Sequence, residues 1–251
     1  MSSTSLEGHR ALVTGGGTGV GRTVALKLAQ AGAEVTVCGR RLAPLEETAA
    51  MADRVSYAIT DVTDEAAITE LFEKFGPFDI VIANAGGTQS APLTRVNLAD
   101  WQQTLNVNLT GVFLTFRAAL AGLKGRPWGR LVAIASTAGL KGYGYVVPYC
   151  AAKHGVVGLT RALALETARG GVTVNALCPG FIDTPMTEES IQNIIDKTGK
   201  NADEATRALT STNPMGRLIQ TDEVAASVMY LCGEHSGSIN GQAIAIAGGE
   251  V

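Results

Sequence analysis

The sequence predicts a doubly wound α/β fold, a Rossmann-type parallel sheet of about seven strands with helices on both faces. Three observations predict it. Short runs rich in β-branched and apolar residues alternate with helical patterns along the 251 residues. Most of these runs are apolar at successive positions, as strands covered on both faces must be. The first run is followed at once by a glycine-rich turn that opens a helix. At 46% hydrophobic the chain can bury one large core, and α/β chains of this length usually form a single domain, here 1–251.

Taken in order, ALVT at 11–14 is the first strand, and the helix after the turn runs over 20–31 with Val20, Val24 and Leu28 on one face. A strand at 34–38 (EVTVC) leads to a helix at 42–52. The strand at 56–60 (SYAIT) leads to a helix at 64–75, whose start is marked by Asp64 with Glu65 behind it. The fourth strand, DIVIA at 79–83, precedes one long helical span at 98–123, and the fifth, RLVAIA at 130–135, precedes another at 146–169. VTVNAL at 172–177 is the sixth strand. Thr221 with Asp222 and Glu223 starts a helix over 221–232, and QAIAIA at 242–247 is the seventh strand. Only 185–220 departs from the alternation, as two short helices and loops. It reads as a surface insertion or as a substrate lid. The lid is favoured because the segment leaves a strand's carboxyl end, where open α/β sheets bind ligands.

Composition excludes several classes. A net charge of −3 provides no basic field for nucleic acid or for an anionic membrane. Cys38, Cys150, Cys178 and Cys232 lie far apart and form no CxxC, which suits reduced thiols in a cytosol. His9, His154 and His235 form no cluster with them, so no metal site is expected, and His154 is read as a helix-surface residue. The opening MSSTSLEGHR is polar and no segment is long and apolar enough to span a membrane. The expected location is cytoplasmic.

The turn carries Gly15, Gly16, Gly17, Gly19 and Gly21, with Thr18 and Val20 between them, as TGGGTGVG. A dinucleotide needs that strand–turn–helix geometry, because glycines bring main-chain N–H groups against the pyrophosphate at a helix N-terminus. The alternative is a merely flexible turn; its place after a first strand favours the nucleotide. Where an NAD-selective site would have an acid at the end of the second strand, this chain has Gly39, then Arg40 and Arg41. A 2′-phosphate can pair with Arg40, so NADP(H) is the preferred cofactor, with NAD(H) possible. A solvated basic pair is the plainer alternative, and Thr18 adds no second cation in the loop.

Tyr149 and Lys153 stand in YCAAK, and Ser136 lies thirteen residues upstream of the tyrosine. Reducing a ketone needs a proton at oxygen as well as hydride at carbon. A free phenol has a pKa of about 10, and a nearby ammonium favours the phenolate. At i,i+4 on a helix Lys153 shares a face with Tyr149 and is expected to lower its pKa. Ser136, at the carboxyl end of the fifth strand, can donate to the carbonyl oxygen. Taken singly, a strand-end serine is more often structural; the ordered set favours chemistry.

With TGGGTGVG at 14–21, DV at 61–62, ANAGG at 83–87, Asn108 in NVNLTG, Ser136, YCAAK at 149–153 and PGFIDT at 179–184, the sequence resembles the classical short-chain dehydrogenase/reductase family over essentially its whole length. The resemblance implies a catalytic set of Asn108, Ser136, Tyr149 and Lys153. Lys153 would also hold the nicotinamide ribose, and Asn108 would hold a water that links Lys153 to solvent. Asp61 and Val62 would bracket the adenine, and Asn84, Ala85 and Gly86 would lie beside the adenosine ribose. Ile182 and Thr184 would meet the carboxamide, with Pro179 and Gly180 in the same cofactor-binding turn. The family often has NNAG where this chain has Ala83, which is expected to be buried.

The YxxxK spacing disfavours the enoyl reductases of the superfamily. The segments around 148–166 and 174–186 are similar to those of 3-oxoacyl thioester and aromatic polyketide ketoreductases, so the leading substrate is a β-keto thioester or similar ketone. The alternatives are an NAD-dependent secondary-alcohol, sugar or hydroxy-acid dehydrogenase working oxidatively, and a non-catalytic NADP-sensing protein, which would be expected to lack Tyr149 or Lys153. Tyr143, Tyr145, Val146, Val147 and Met186 are candidates for an apolar substrate pocket. The helices at 98–123 and 146–169 carry apolar residues around much of their circumference, including Phe113, Phe116, Val156 and Leu163. That surplus implies a partner, and the family pattern implies a homotetramer.

Overall fold

In the computed structural model, which describes residues 5–251, seven strands form one sheet in the order β3-β2-β1-β4-β5-β6-β7. Residues 1–4 of the polar opening segment lie outside the described residues. The strands are β1 (Arg10–Thr14), β2 (Glu34–Gly39), β3 (Val55–Ile59), β4 (Ile80–Ala83), β5 (Gly129–Ile134), β6 (Val172–Pro179) and β7 (Ala243–Ile246). Every neighbouring pair is parallel. Parallel pairing requires crossovers, and the helical segments between the strands supply them.

The side-chain period of two sorts each strand between two cores. Ala11 and Val13 of β1 and Ile80 and Ile82 of β4 face the layer made by α1 (Gly19–Gln30), α2 (Leu42–Ala50) and α9 (Thr221–Leu231). Leu12, Val81, Leu131 and Val174 face the opposite layer, made by α3 (Glu65–Phe75), α5 (Gly111–Leu123) and α6 (Val147–Thr167). At the sheet margin β3 exposes Tyr57 and Ile59, whose faces are less covered by helices than those of the inner strands.

Local signals explain most boundaries. Asp64 caps α3, its carboxylate accepting from the Ala66 and Ala67 N–H groups. α9 starts at Thr221 as expected; the Glu223 carboxylate accepts from the Gln220 N–H at 2.7 Å, and the Glu223 N–H donates to the Gln220 carbonyl. The span expected as one helix at 98–123 is interrupted. It comprises α4 (Leu98–Leu105), a π-helical turn over Asn106–Thr110, in which the Gly111 N–H reaches back to the Asn106 carbonyl, and α5. Between β6 and α9 lie α7 (Pro185–Thr198) and α8 (Ala202–Thr210). A parallel bridge between Ile182 and Ile219 joins the two feet of this excursion.

Candidate active site

The strand order reverses between β1 and β4, and their carboxyl ends part there to leave the crevice in which such sheets bind ligands. Side chains lace its rim. Thr14 Oγ1 accepts from the main-chain N–H groups of Asn84 and Ala85, both at 3.0 Å. Asn84 Nδ2 donates back to the carbonyls of Thr14 at 2.9 Å and Gly15 at 3.1 Å. Ala83, just before, is buried as expected.

The glycine loop Gly15–Thr18 runs from β1 into α1 against this rim. Gly21 has no room for a side chain, since a Cβ would strike the Gly15 carbonyl and lie 2.6 Å from Asn84 Nδ2. Gly19 has φ 51, and a Cβ there would lie 3.1 Å from Thr184 Cγ2. Thr184 of the β6 turn therefore stands across the loop from the α1 N-terminus. Thr18 occupies the cap position of α1 without a side-chain bond to the first turn, which has no acidic residue. First-turn N–H groups, a positive dipole end and a glycine surface fit a dinucleotide pyrophosphate. Val20 is buried in the core and anchors the helix. Gly17 is turned toward α2, and its carbonyl accepts from Arg22 Nε at 3.0 Å and from Thr48 Oγ1 at 3.3 Å.

Arg40 is exposed at the end of β2. Asp61 lies near it at the end of β3. Hydrogen bonds from the Thr63 N–H and hydroxyl, with the Arg40 charge, hold the Asp61 carboxyl below its ordinary pKa. Val62 is buried and packed against Gly111, so its side chain belongs to the core. Ile182 packs partly buried on the α1/α9 core, while Pro179 is buried and Gly180 lies against the turn after β7.

The four residues of the expected catalytic set converge beyond β4 and β5. Lys153, 3% exposed, donates from Nζ to the Ile134 carbonyl at 2.8 Å, and the same nitrogen lies 5.5 Å from the centre of the Tyr149 ring. Ser136 caps the short turn after β5, its oxygen accepting from the Ala138 N–H at 3.1 Å, and its hydroxyl acts on the Tyr149 phenol to lower its pKa. Asn108 lies in the π turn. Its Nδ2 donates to the carbonyls of Gly87 at 2.8 Å and Thr104 at 2.9 Å, and its Oδ1 accepts from the Gly87 N–H at 3.2 Å. A Cβ on Gly86 would lie 2.8 Å from Asn108 Oδ1 and 3.7 Å from Lys153 Nζ, so both flank Gly86.

Electrostatically the site departs from the expectation that Lys153 lowers the phenol. Burial dominates: it pushes Tyr149 up to about 12, only partly offset by the nearby Ser136 hydroxyl. The same burial pulls Lys153 down to about 8. At neutral pH the pair is a phenol beside an ammonium, the state that can give a proton away.

Other expectations also change. Tyr143 does not line an apolar pocket with its hydroxyl, which is bonded to Thr137 Oγ1 and to Glu250 Oε1, each at 2.6 Å. Tyr145 and Met186 are exposed, and Tyr145 has φ 66. Phe116 and Val156 are buried in the core and Leu163 packs against it, so of the four residues read as surplus apolar surface Phe113 alone is exposed; Val147 and Leu165, near opposite ends of α6, are exposed as well. Cys38, Cys178 and Cys232 are buried free thiols, Cys150 is a partly buried one, and His154 lies on the surface of α6. Among the described residues no group of three or more His, Cys, Asp and Glu could hold a metal ion, and no helix is long and apolar enough to cross a membrane. Sequence reading did not single out Thr14 as a rim residue, although it begins the glycine motif. It also missed Arg22 and Glu250, which carry no local signal.

A nucleotide cradle at the sheet's switch point and a proton-donating phenol at the adjoining strand ends define an NAD(P)-dependent oxidoreductase acting on a CH–OH/C=O pair. The chain belongs to the short chain dehydrogenase family, whose sequence profile matches residues 9–195. It is 38% identical over 249 residues to a Streptomyces coelicolor protein assigned as a ketoacyl reductase, covering 95% of each chain. It is 36% identical over 255 residues to a D-beta-hydroxybutyrate dehydrogenase of Cupriavidus necator, covering 98% of this chain and 99% of that one. Among solved structures, a variant of actinorhodin polyketide ketoreductase with NADPH superposes with a TM-score of 0.90 at 36% identity, covering 96% of this chain and 97% of the other.

Proposed function

We propose that this protein uses NADPH to reduce a ketone, with a 3-oxoacyl thioester or similar β-keto compound as the leading class, to a secondary alcohol. The observation that carries the reaction class is the half-buried Tyr149 phenol, with Lys153 Nζ 5.5 Å from its ring, at the strand ends beside the glycine loop. A bound nicotinamide would supply the hydride; the chain supplies everything else. Tyr149 gives its proton to the ketone oxygen as charge develops there, and the Ser136 hydroxyl donates to the same oxygen. Lys153 stabilises the phenolate that results, and Asn108 orders a proton path from Lys153 toward solvent. The ketone lies between the loop after β5 and the 185–220 segment, which acts as a lid. Gly15–Gly21 would hold the pyrophosphate, Asp61, Val62 and Asn84–Gly86 the adenosine, and Pro179–Thr184 with Lys153 the nicotinamide end. Arg40 would hold the 2′-phosphate. Similarity to the NADPH-bound ketoreductase and to the ketoacyl reductase supports this reading.

A second reading, NAD-dependent oxidation of a hydroxy acid, is favoured by similarity to the hydroxybutyrate dehydrogenase. Initial rates of NADPH and NADH oxidation with acetoacetyl-CoA decide between them. A strong NADPH-dependent rate supports the reductase. Turnover only of 3-hydroxybutyrate with NAD overturns it. Exposed Phe113, Val147 and Leu165 on α5 and α6 support assembly, proposed as a homotetramer in the cytoplasm. Light scattering that gives a monomeric mass at micromolar concentration would remove that assignment.

A further inference from the structure

One carboxylate outside the catalytic set joins the two walls assigned to the substrate. Glu250, in the turn after β7, has a side chain only 1% exposed. Its Oε1 accepts from Thr212 Oγ1 at 2.5 Å and from the Tyr143 hydroxyl at 2.6 Å, and it pairs with Lys141 Nζ at 3.1 Å. Tyr143 in turn meets Thr137, the residue after Ser136, and stands edge-on to Phe181 in the β6 turn. Glu250 Oε2 faces Gly180, where a Cβ would lie 3.2 Å away. The main chain beside it is equally committed: a Cβ on Gly248 would strike Asn213 Oδ1 and lie 2.7 Å from Met215 Sδ. A single buried acid thus fastens the foot of the 185–220 excursion to the loop that carries Ser136.

We propose that Glu250 is a positioning residue that sets ketone affinity, by holding Thr212 and the 137–143 loop at fixed separation across the substrate cleft. Truncating a buried acceptor leaves the Tyr143 hydroxyl, the Thr212 hydroxyl and the Lys141 cation without their partner, so both walls loosen together. No hydrogen bond joins Glu250 to the glycine loop or to Arg40, so the pyrophosphate and 2′-phosphate contacts expected to dominate cofactor affinity are not held through it. The assignment of these segments as substrate walls rests on the ketone reductase reading.

The test compares full-length wild type with Glu250→Gln and Glu250→Ala. Hydrogen–deuterium exchange should rise in Glu250→Ala at both 137–145 and 205–215. The KM for acetoacetyl-CoA should rise at least about tenfold while the KM for NADPH stays within about twofold. Glu250→Gln, whose amide oxygen still accepts from Tyr143 and Thr212, should recover most of the ketone KM. Exchange that rises at neither segment or at one alone overturns the proposal, as does an unchanged ketone KM or an equal loss of NADPH affinity. If the wild type reduces no ketone, the function falls and the exchange result alone decides whether Glu250 couples the two segments. If Glu250→Ala does not fold, Thr212→Val and Tyr143→Phe each remove one arm. Each should raise the ketone KM about threefold or more, and an unchanged KM in both overturns the proposal.

Discussion

Lys153 Nζ donates to the main-chain carbonyl of Ile134 at 2.8 Å, which fastens the helix carrying the Tyr149 phenol to the strand that ends two residues before Ser136. Acid and hydroxyl donor are thereby held on one rigid unit. The bond is made by a cation that burial has pulled down to about 8, with a neutral carbonyl as its acceptor.

That cation is costly to the fold. Lys153→Met should therefore be more stable at pH 7, by about 1–3 kcal/mol and with a higher melting temperature, while turnover falls by about 10²–10⁴. The sign follows from proton binding. Between about pH 8 and the unperturbed value of 10.5, the unfolded chain holds a proton that the folded chain has lost, so wild-type stability rises with pH through that window. The melting advantage of the variant should shrink over the same window. An equal or lower melting temperature for Lys153→Met at pH 7 contradicts the account.

Tyr149→Phe keeps the ring and removes the proton. Turnover should drop by about 10²–10⁴ with NADPH affinity, read by fluorescence titration, unchanged. Retention of a tenth or more of wild-type kcat would show that another group supplies the proton.

The pH profile is set by the same pair. Reduction needs the Tyr149 phenol, present below about 12, and the Lys153 ammonium, present below about 8. kcat/KM for ketone should be level near pH 7 and fall above about 8, while oxidation of the alcohol should rise with pH. A reductive rate still climbing at pH 9 is inconsistent with these roles.

What could be read in the sequence was what main chain and local spacing demand. Gly21 is there because a Cβ would strike the Gly15 carbonyl, and Tyr149 and Lys153 meet because four residues is about one helical turn. The strands were legible because runs apolar at successive positions need cover on both faces. The π turn at Asn106–Thr110 was not legible, because widening a helix by one residue leaves no mark in hydrophobic periodicity. Phe116 and Val156 looked like surplus surface because what covers them comes from distant parts of the chain. Glu250 was invisible for the same reason: Thr212 and Tyr143 are 38 and 107 residues from it.

Arg40 tests the cofactor reading. A charge-assisted bond to a 2′-phosphate is worth about 1.5–3 kcal/mol, so Arg40→Ala should raise the KM for NADPH by about 10- to 100-fold and leave that for NADH within about twofold. Arg40 is exposed, and the NADPH preference should weaken as salt is raised. Equal effects on both cofactors would place Arg40 outside phosphate recognition.

Thr14→Val tests the crevice rim. Thr14 is 1% exposed, and its hydroxyl oxygen accepts two main-chain N–H groups, those of Asn84 and Ala85, where β1 and β4 part. Valine has nearly the same shape and no acceptor, so both N–H groups are stranded away from water and the change should cost about 2–4 kcal/mol in urea unfolding. Thr14→Ser keeps the oxygen and should lie within about 1 kcal/mol of wild type. The rim also bears on binding, because Asn84 Nδ2 holds the Thr14 and Gly15 carbonyls that begin the glycine loop. NADPH affinity should therefore fall in the valine variant and not in the serine one. A valine variant as stable as wild type would mean that those N–H groups find another acceptor, and the rim would not depend on Thr14.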